Sequence, residues 1–325
     1  TFSDGRKSVH EELLQVNQES QERLAKALEN TGEIEVVKGN EIIWTSEIAK
    51  REGKRLAKEG VEVTIFNFAV WVFPHLAVIA AEFAPGPFLL FSNVNPKYPG
   101  MVGMLATAGA LDQIGEFHSR VWGRIEEKKV LERLMVFIRA AAAVKRLKGE
   151  SFGLFGGRPM GMYTAVSNLD QWRKDFGIDV EHTDQMEIVR RSSLIATEKV
   201  DSALKWLEKY VAKIHYDGKQ LTPEKLKTQI RSYYAVREII KEKNLNFLGI
   251  KAQPELTNNF VTMDVTEAFL NDPYDWDGPH EPIVTATEAD MDGALTMEIM
   301  KHLSGDPVLF ADIRHYDDED NFFDL

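Results

Sequence analysis

The stretch that decides the fold is residues 61–92, VEVTIFNFAVWVFPHLAVIAAEFAPGPFLLFS. It contains two apolar runs rich in β-branched and aromatic residues, 61–69 and 87–92, and between them a helical stretch, 74–83. A strand followed by a helix and a second buried strand is typical of a βαβ unit, whose two strands run parallel. We therefore expect an α/β fold built on a parallel sheet.

The same alternation continues on both sides of this unit. The predicted helices are 8–30, 46–59, 100–114, 128–147, 170–176, 183–211, 223–243 and 290–303. The further predicted strands are 34–37, 152–155, 247–251, 282–285 and 307–313. This pattern predicts two consecutive Rossmann-like parallel-sheet domains, 1–149 and 150–305, followed by the beginning of a third domain at 306–325.

Composition restricts the class of partner. Lys and Arg number 39 against 51 Asp and Glu, which gives a net charge of −12. Such a charge repels phosphates, so we expect no nucleic acid partner. No apolar run approaches the roughly 18–20 residues that span a bilayer, so we expect no membrane partner. The chain has no cysteine, which excludes thiolate nucleophiles and disulfides and fits a cytoplasmic protein.

A Gly-rich loop at 156–162, GGRPMGM, follows the predicted strand 152–155. Gly156 and Gly161 have the spacing of a P-loop, but Met162 stands where a P-loop has its lysine. The GxGxxG spacing of a dinucleotide site is also missing. The loop therefore predicts a strand-to-helix turn that a ligand or another backbone approaches closely, rather than a phosphate site.

Two carboxylates follow predicted strands. Glu288 comes after the strand 282–285, and Asp312 lies near the end of the strand 307–313. Ligands of open parallel sheets bind at the carboxyl ends of the strands, so two acids placed there can converge on one point. Hard cations such as Mn²⁺ or Mg²⁺ prefer carboxylate oxygens. The spacing predicts a metal pair, and the alternative is that Asp312 pairs with Arg314 or caps a turn.

The segment that begins at Glu288, EADMDG, is superficially similar to a calcium loop. Its first acid is glutamate rather than aspartate, and Glu298 arrives one position too early to close the loop. We therefore interpret Asp290 and Asp292 as acidic residues at the start of a helix, where they favour the helix dipole.

Several motifs together resemble the L-fucose isomerase family, and they are distributed along most of the chain. They are SDGR at 3–6, the Gly-rich loop 156–162, DQMEIVRR at 184–191 and GIKAQ at 249–253. The most specific are TEAD at 287–290 with Gly293-Ala294, and FADIR at 310–314.

The resemblance implies a metal-dependent aldose-ketose isomerase that acts on L-fucose, D-arabinose or a similar monosaccharide through a cis-enediol intermediate. It implies that Glu288 and Asp312 bind the metal, usually manganese, and also act as the catalytic acid and base. The family's third ligand is a histidine of the C-terminal domain, expected beyond Leu325. The resemblance further implies a homo-oligomer, a hexamer, with active sites at subunit contacts.

The resemblance also implies three substrate-binding residues. Trp71 corresponds to a tryptophan that stacks on a sugar bound mainly by a neighbouring subunit. Gln253 corresponds to a glutamine that hydrogen-bonds sugar hydroxyls. Met162 lies in the Gly-rich, methionine-containing loop.

Elementary chemistry agrees with this assignment. Moving a carbonyl between C1 and C2 requires removal of a proton from carbon, which a cation on O1 and O2 assists by stabilising the enediolate. A carboxylate then transfers the proton between the carbons. Two alternatives stay open: a non-catalytic sugar-binding protein with a degenerate isomerase fold, and a metal-dependent aldolase or dehydratase.

Overall fold

The structure, a computed structural model, describes residues 1–324 and divides into two compact units, Thr1–Lys145 and Arg146–Leu325. The first unit contains a parallel sheet in the order β1-β2-β3, with the strands at Thr64–Asn67, Phe88–Asn93 and His118–Gly123. Its helices are α1 (Lys7–Glu29), α2 (Ser46–Lys58), α3 (Pro74–Ala81), α4 (Gly100–Gln113) and α5 (Lys128–Leu147).

Both faces of this first sheet are buried. Alternate side chains of a strand point to opposite faces, so Phe66, Phe88 and Leu90 face one cluster and Leu89 and Phe91 face the other. Helices α2, α3 and α4 cover the first face, and α1 and α5 cover the second. The predicted βαβ unit at 61–92 is therefore confirmed, because β1 and β2 are parallel and α3 connects them.

The second unit contains a parallel sheet in the order β5-β4-β6-β9, with β4 at Ser151–Phe155, β5 at Asp179–Thr183, β6 at Phe247–Ile250 and β9 at Thr285–Thr287. Its helices are α6 (Leu169–Asp175), α7 (Gln185–Ser192), α8 (Thr197–Tyr210), α9 (Pro223–Lys243), α10 (Glu255–Asn259), α11 (Asp264–Asn271) and α12 (Met291–Ser304). Two antiparallel hairpins complete it, formed by β7 (Tyr274–Asp275) with β8 (Gly278–Pro279) and by β10 (His315–Asp317) with β11 (Phe322–Asp324).

Helices again cover both faces of the second sheet. Phe155, Leu248 and Ile250 pack with α7, α8, α9 and α11, whereas Phe152 and Phe247 pack with α6 and α12. Two parallel sheets, each buried between helices, are the consecutive Rossmann-like domains that the sequence predicted. None of the helices within residues 1–324 is long and apolar enough to cross a membrane.

The long helices begin and end within two residues of their predicted bounds, with one exception. Residues 183–211 were predicted as one helix but contain the end of β5 and two helices, α7 and α8. Asp184 starts α7 by accepting a hydrogen bond from the Met186 N–H at 2.8 Å. The chain between α7 and α8 is non-helical, and Ala196 is extended there.

Two predicted strands are wrong, and six of the strands within residues 1–324 were not predicted: β3, β5 and the four short strands of the two hairpins. Residues 34–37 and 307–313 are irregular in the structure, although Ile34 and Phe310 still pack against hydrophobic clusters. An apolar run becomes a strand only where a neighbour offers hydrogen-bond partners. Conversely, β3 and β5 are edge strands with mostly exposed or half-buried side chains, so their composition does not suggest a strand.

Gly249 offers a test of the packing in the second unit. A methyl group on its Cα would come within 2.9 Å of Ala289 Cα and 3.2 Å of the Phe152 ring. We expect Gly249→Ala to lower the free energy of unfolding by about 1–3 kcal/mol, measured by urea denaturation. The reason is that the Ala289 backbone would have to shift to make room for the added methyl group. Gly109→Ala, at an exposed helical position with open space, is the matched control and should be neutral or slightly stabilising. Equal stability of Gly249→Ala and the wild type would contradict this packing.

Candidate active site

The loops that follow the parallel strands of the second sheet meet at its carboxyl edge. The loop after β4 is joined to β5, because the Gly156 N–H donates to the Thr183 carbonyl at 3.0 Å. The Gln185 side-chain amide, just beyond β5, donates to the Lys251 carbonyl after β6. Gly156 has φ +94°, and a Cβ there would lie 3.0 Å from Lys251 Cβ and 3.1 Å from the Gln185 amide nitrogen, so side chains rather than another backbone approach the Gly-rich loop here.

Glu288 lies at the same edge, directly after β9. Its backbone and that of Ala289 both adopt positive φ, 52° and 53°. This turn folds over β6, where Gly249 leaves room for the Ala289 backbone. As a result, Glu288 Oε2 accepts a hydrogen bond from the Gln253 N–H at 3.1 Å. The structure therefore brings together two of the sequence-predicted site residues, Glu288 and Gln253.

The surroundings of Glu288 oppose its ionisation only in part. Burial, the largest effect, raises the pKa of its carboxyl, and the charge of Asp264 acts in the same direction. The N–H groups of Gln253 and Ala252 and the charge of Lys251 lower the pKa. The carboxylate is thus half-buried, held by main-chain donors and more basic than an ordinary glutamate.

A second acid lies next to Glu288 and was not found in the sequence. Burial raises the pKa of Glu267, on α11, to about 8, while a hydrogen bond with Thr287 lowers it and the charges of Asp264 and Glu288 add to the increase. Its Oε1 is buried and has no hydrogen-bond partner within residues 1–324. Glu267 is therefore protonated at neutral pH. No motif marks it, because its burial depends on how α11 packs against β9.

Asp312 lies on the exposed, irregular chain that follows α12. Two residues earlier, the Phe310 ring packs against Gly293, since a Cβ on Gly293 would lie 2.9 Å from that ring. Gly293 belongs to the first turn of α12, and Asp290 caps this helix by accepting from the Gly293 N–H at 3.0 Å. The segment before Asp312 therefore packs against the amino-terminal end of α12, which lies shortly after Glu288 in the chain. The predicted role of Asp290 and Asp292 at a helix start is confirmed.

Met162 is half-buried, and its N–H donates to the Pro159 carbonyl at 2.9 Å. The loop then continues towards the start of α12, where the Ser167 hydroxyl donates to the Asp292 carboxylate. The Gly-rich loop therefore extends from the end of β4 to the beginning of the helix after Glu288.

Trp71 belongs to the first unit, where it is half-buried in the chain between β1 and α3. The SDGR turn lies near this chain, because a Cβ on Gly5 would come within 2.5 Å of the Phe73 ring. Within the turn, the buried Asp4 carboxylate accepts from Arg6 Nη2 at 2.6 Å.

The first unit also contains an open groove of about 530 Å³ that the sequence did not predict. It lies between α1 and residues 38–44, and the rings of His10 and Trp44 stack there with centroids 4.9 Å apart. Burial lowers the pKa of His10, which disfavours the charged imidazolium. Trp71 is not among the residues that line the groove.

A further polar cluster lies away from Glu288, at the end of α12. Among residues 1–324, Glu150, Glu298 and His302 bring one ligand atom each to within 4.8 Å of one another. Glu150 directly precedes β4, so this cluster lies at the amino edge of the second sheet. Burial raises the pKa of Glu298 to about 7, and the charge of Lys301 opposes that increase.

The residues around Glu288 fit a hard divalent cation. Glu288 offers carboxylate oxygens, and the acids Asp264 and Glu267 lie close enough to influence its pKa. Carboxylate oxygens are donors that suit Mn²⁺ or Mg²⁺. Glu288 is the described residue best placed to hold such an ion at this edge.

Comparisons with known proteins agree with this picture. Residues 1–149 match the family model of the L-fucose isomerase first N-terminal domain, and residues 234–305 match that of the second N-terminal domain. The L-fucose isomerase of Haemophilus influenzae is 26% identical over 300 residues, which cover 82% of this chain and 50% of that protein. The L-fucose isomerase of Phocaeicola vulgatus is 27% identical over 298 residues, or 81% of this chain and 50% of that protein.

The chain spans about half the length of the curated relatives it matches. The two matched domains, the parallel sheets and the motifs around Glu288 agree with one another, and the chain belongs to the L-fucose isomerase family.

Proposed function

We propose that this protein is a metal-dependent aldose-ketose isomerase that converts L-fucose, D-arabinose or a similar monosaccharide through a cis-enediol. Family membership supports the reaction class, and the relatives it matches are named L-fucose isomerases. The family match also makes a non-catalytic sugar-binding role the weaker interpretation.

The observation that carries the proposal is the placement of Glu288. Its carboxylate lies at the carboxyl edge of the second sheet and accepts the Gln253 N–H at 3.1 Å. A turn with positive φ at a non-glycine residue is costly, and such strain tends to be kept where a side chain has a function. A half-buried carboxylate of raised basicity is suited to taking a proton from carbon.

In this proposal, different residues of the chain bind the cation, transfer the proton and contact the sugar. Glu288 holds the cation together with Asp312, and the two carboxylates remove the proton from one carbon and return it to the other. Gln253 and Met162 contact the sugar at the same edge, and Trp71 stacks on a sugar bound mainly by another subunit. Glu267 stays protonated beside Glu288 and therefore adds no further negative charge to the site.

The cofactor that we propose is Mn²⁺, which supplies Lewis-acid stabilisation of the enediolate oxygens. We further propose a hexamer whose sites lie at subunit contacts and in which residues 306–325 begin a further domain. Exposed apolar side chains such as Leu105 on α4 and Val136 on α5 are of the kind that subunit contacts bury.

Glu288→Gln tests the reaction and the residue together. In the full-length protein with Mn²⁺, we expect L-fucose or D-arabinose to be converted to ketose, and the variant to lose at least about a hundredfold in kcat/KM, because amide nitrogen and oxygen cannot accept the proton. Glu281→Gln, which changes an 82% exposed carboxylate, is the matched control and should keep wild-type activity. Substantial activity of a folded Glu288→Gln variant would refute the assignment.

Gln253→Ala separates the main-chain role of this residue from its side-chain role. The backbone N–H that binds Glu288 remains in the variant, whereas the exposed side-chain amide is lost. We expect KM for the sugar to increase about tenfold with a smaller change in kcat, as is expected when one hydrogen bond to substrate is lost. An unchanged KM would show that the amide does not contact the sugar.

Glu267→Gln tests the buried acid in metal-free protein, with chelator present. The folded pKa of about 8 exceeds the ordinary value of 4.5, so the folded state retains the proton longer than the unfolded state. Wild-type stability should therefore fall relative to the variant as pH rises from 4.5 to 8, and the difference should be constant above pH 8. Urea denaturation at several pH values measures it, and parallel curves for the two proteins would contradict the raised pKa.

A further inference from the structure

The cluster at the amino edge of the second sheet contains a carboxylate that is deeply buried and incompletely paired. Glu298, on α12, is 1% exposed, and its Oε2 has no hydrogen-bond partner within residues 1–324. Glu150 Oε2 is buried and unpartnered in the same way. A buried carboxylate oxygen without a hydrogen-bond partner raises the free energy of the folded state. We therefore expect a ligand other than a protein side chain at these oxygens.

The neighbouring cations do not satisfy these oxygens. Lys301 Nζ lies 3.6 Å from Glu298 Oε1 and 3.5 Å from the exposed Glu281, so one ammonium group is shared between two carboxylates. His302 Nε2 lies 2.8 Å from Glu150 Oε1 and 3.4 Å from Glu298 Oε1. One ring nitrogen donates at most one proton, and it reaches the Oε1 atoms rather than the unpartnered Oε2 atoms.

We propose that Glu150, Glu298 and His302 bind a divalent transition-metal ion of the Zn²⁺ class, separate from the cation at Glu288. One ligand atom from each residue lies within 4.8 Å of the others, and His302 Nε2 lies 2.8 Å from Glu150 Oε1 and 3.4 Å from Glu298 Oε1, so small side-chain movements would bring all three to an ion with bonds of about 2.0–2.2 Å. The imidazole nitrogen selects a borderline ion over Mg²⁺ or Ca²⁺, which prefer all-oxygen sites.

The position of the three residues gives this ion a structural role. Glu150 precedes the central strand β4, whereas Glu298 and His302 are one turn apart on α12. The ion clamps the end of α12 to the start of β4, at the sheet edge opposite to Glu288. Glu288 lies three residues before the start of α12, so this ion would hold the helix that follows the proposed catalytic carboxylate.

The test uses full-length protein in which Glu288→Gln and Asp312→Asn remove the proposed catalytic ligands. Calorimetric titration of this background with ZnCl₂ should show one ion bound, and saturating Zn²⁺ should raise the thermal midpoint by several degrees through mass action. Adding His302→Gln should weaken Zn²⁺ binding by more than about tenfold and abolish the thermal shift. Asp306→Asn, an exposed acid just after α12, is the matched control and should change neither result.

Glu150→Gln provides a second variant of the same ligand set in case His302→Gln does not fold, with circular dichroism as the check on each protein. Zn²⁺ binding that is unchanged in both variants would overturn the proposal, as would a background that binds no Zn²⁺. Neither result changes the outcome of the Glu288→Gln activity assay. The Zn²⁺ site and the isomerase activity are therefore tested independently.

Discussion

The close packing of the Ala289 backbone on Gly249 is the constraint on which the candidate active site depends. Because Gly249 has no side chain, the turn after β9 lies directly over β6, with Ala289 1% exposed. In this turn both Glu288 and Ala289 have positive φ, and the Glu288 carboxylate accepts a hydrogen bond from the Gln253 N–H. A glycine in strand β6 thus makes room for the turn that holds the Glu288 carboxylate.

The topology decides which groups share an edge. Both sheets are parallel and buried on both faces, so the chain leaves each strand at the same side and returns through a helix. In the second unit this collects the loop from Gly156, Gln185, Lys251 and Glu288 at the carboxyl edge. The same topology sends α12 back to the opposite edge, where Glu298 and His302 meet Glu150. Each end of one sheet therefore has its own cluster of titratable groups.

Electrostatics distinguishes these two clusters. At the carboxyl edge, burial is partly offset for Glu288 by main-chain N–H groups and Lys251, while Glu267 avoids the cost of a buried charge by remaining protonated. At the amino edge, Glu298 is buried more completely, and the charges of Lys301 and His302 oppose the increase in its pKa that burial causes. The two cations that we propose would each be coordinated by these costly buried carboxylates, and the donor types differ: oxygens alone beside Glu288, and oxygens with an imidazole beside Glu298.

The sequence by itself determined the α/β class, the βαβ unit at 61–92, the long helices and the family signature around Glu288, because local periodicity and short motifs are properties of neighbouring residues. It also indicated that Asp290 starts a helix, since capping is equally local. It did not reveal β3 and β5, and it predicted strands at 34–37 and 307–313 that the structure lacks, because strand formation depends on a partner distant in the chain. Only the tertiary structure showed the buried Glu267 and the Glu150–Glu298–His302 cluster, since burial and the meeting of residues about 150 positions apart follow from packing rather than from spacing.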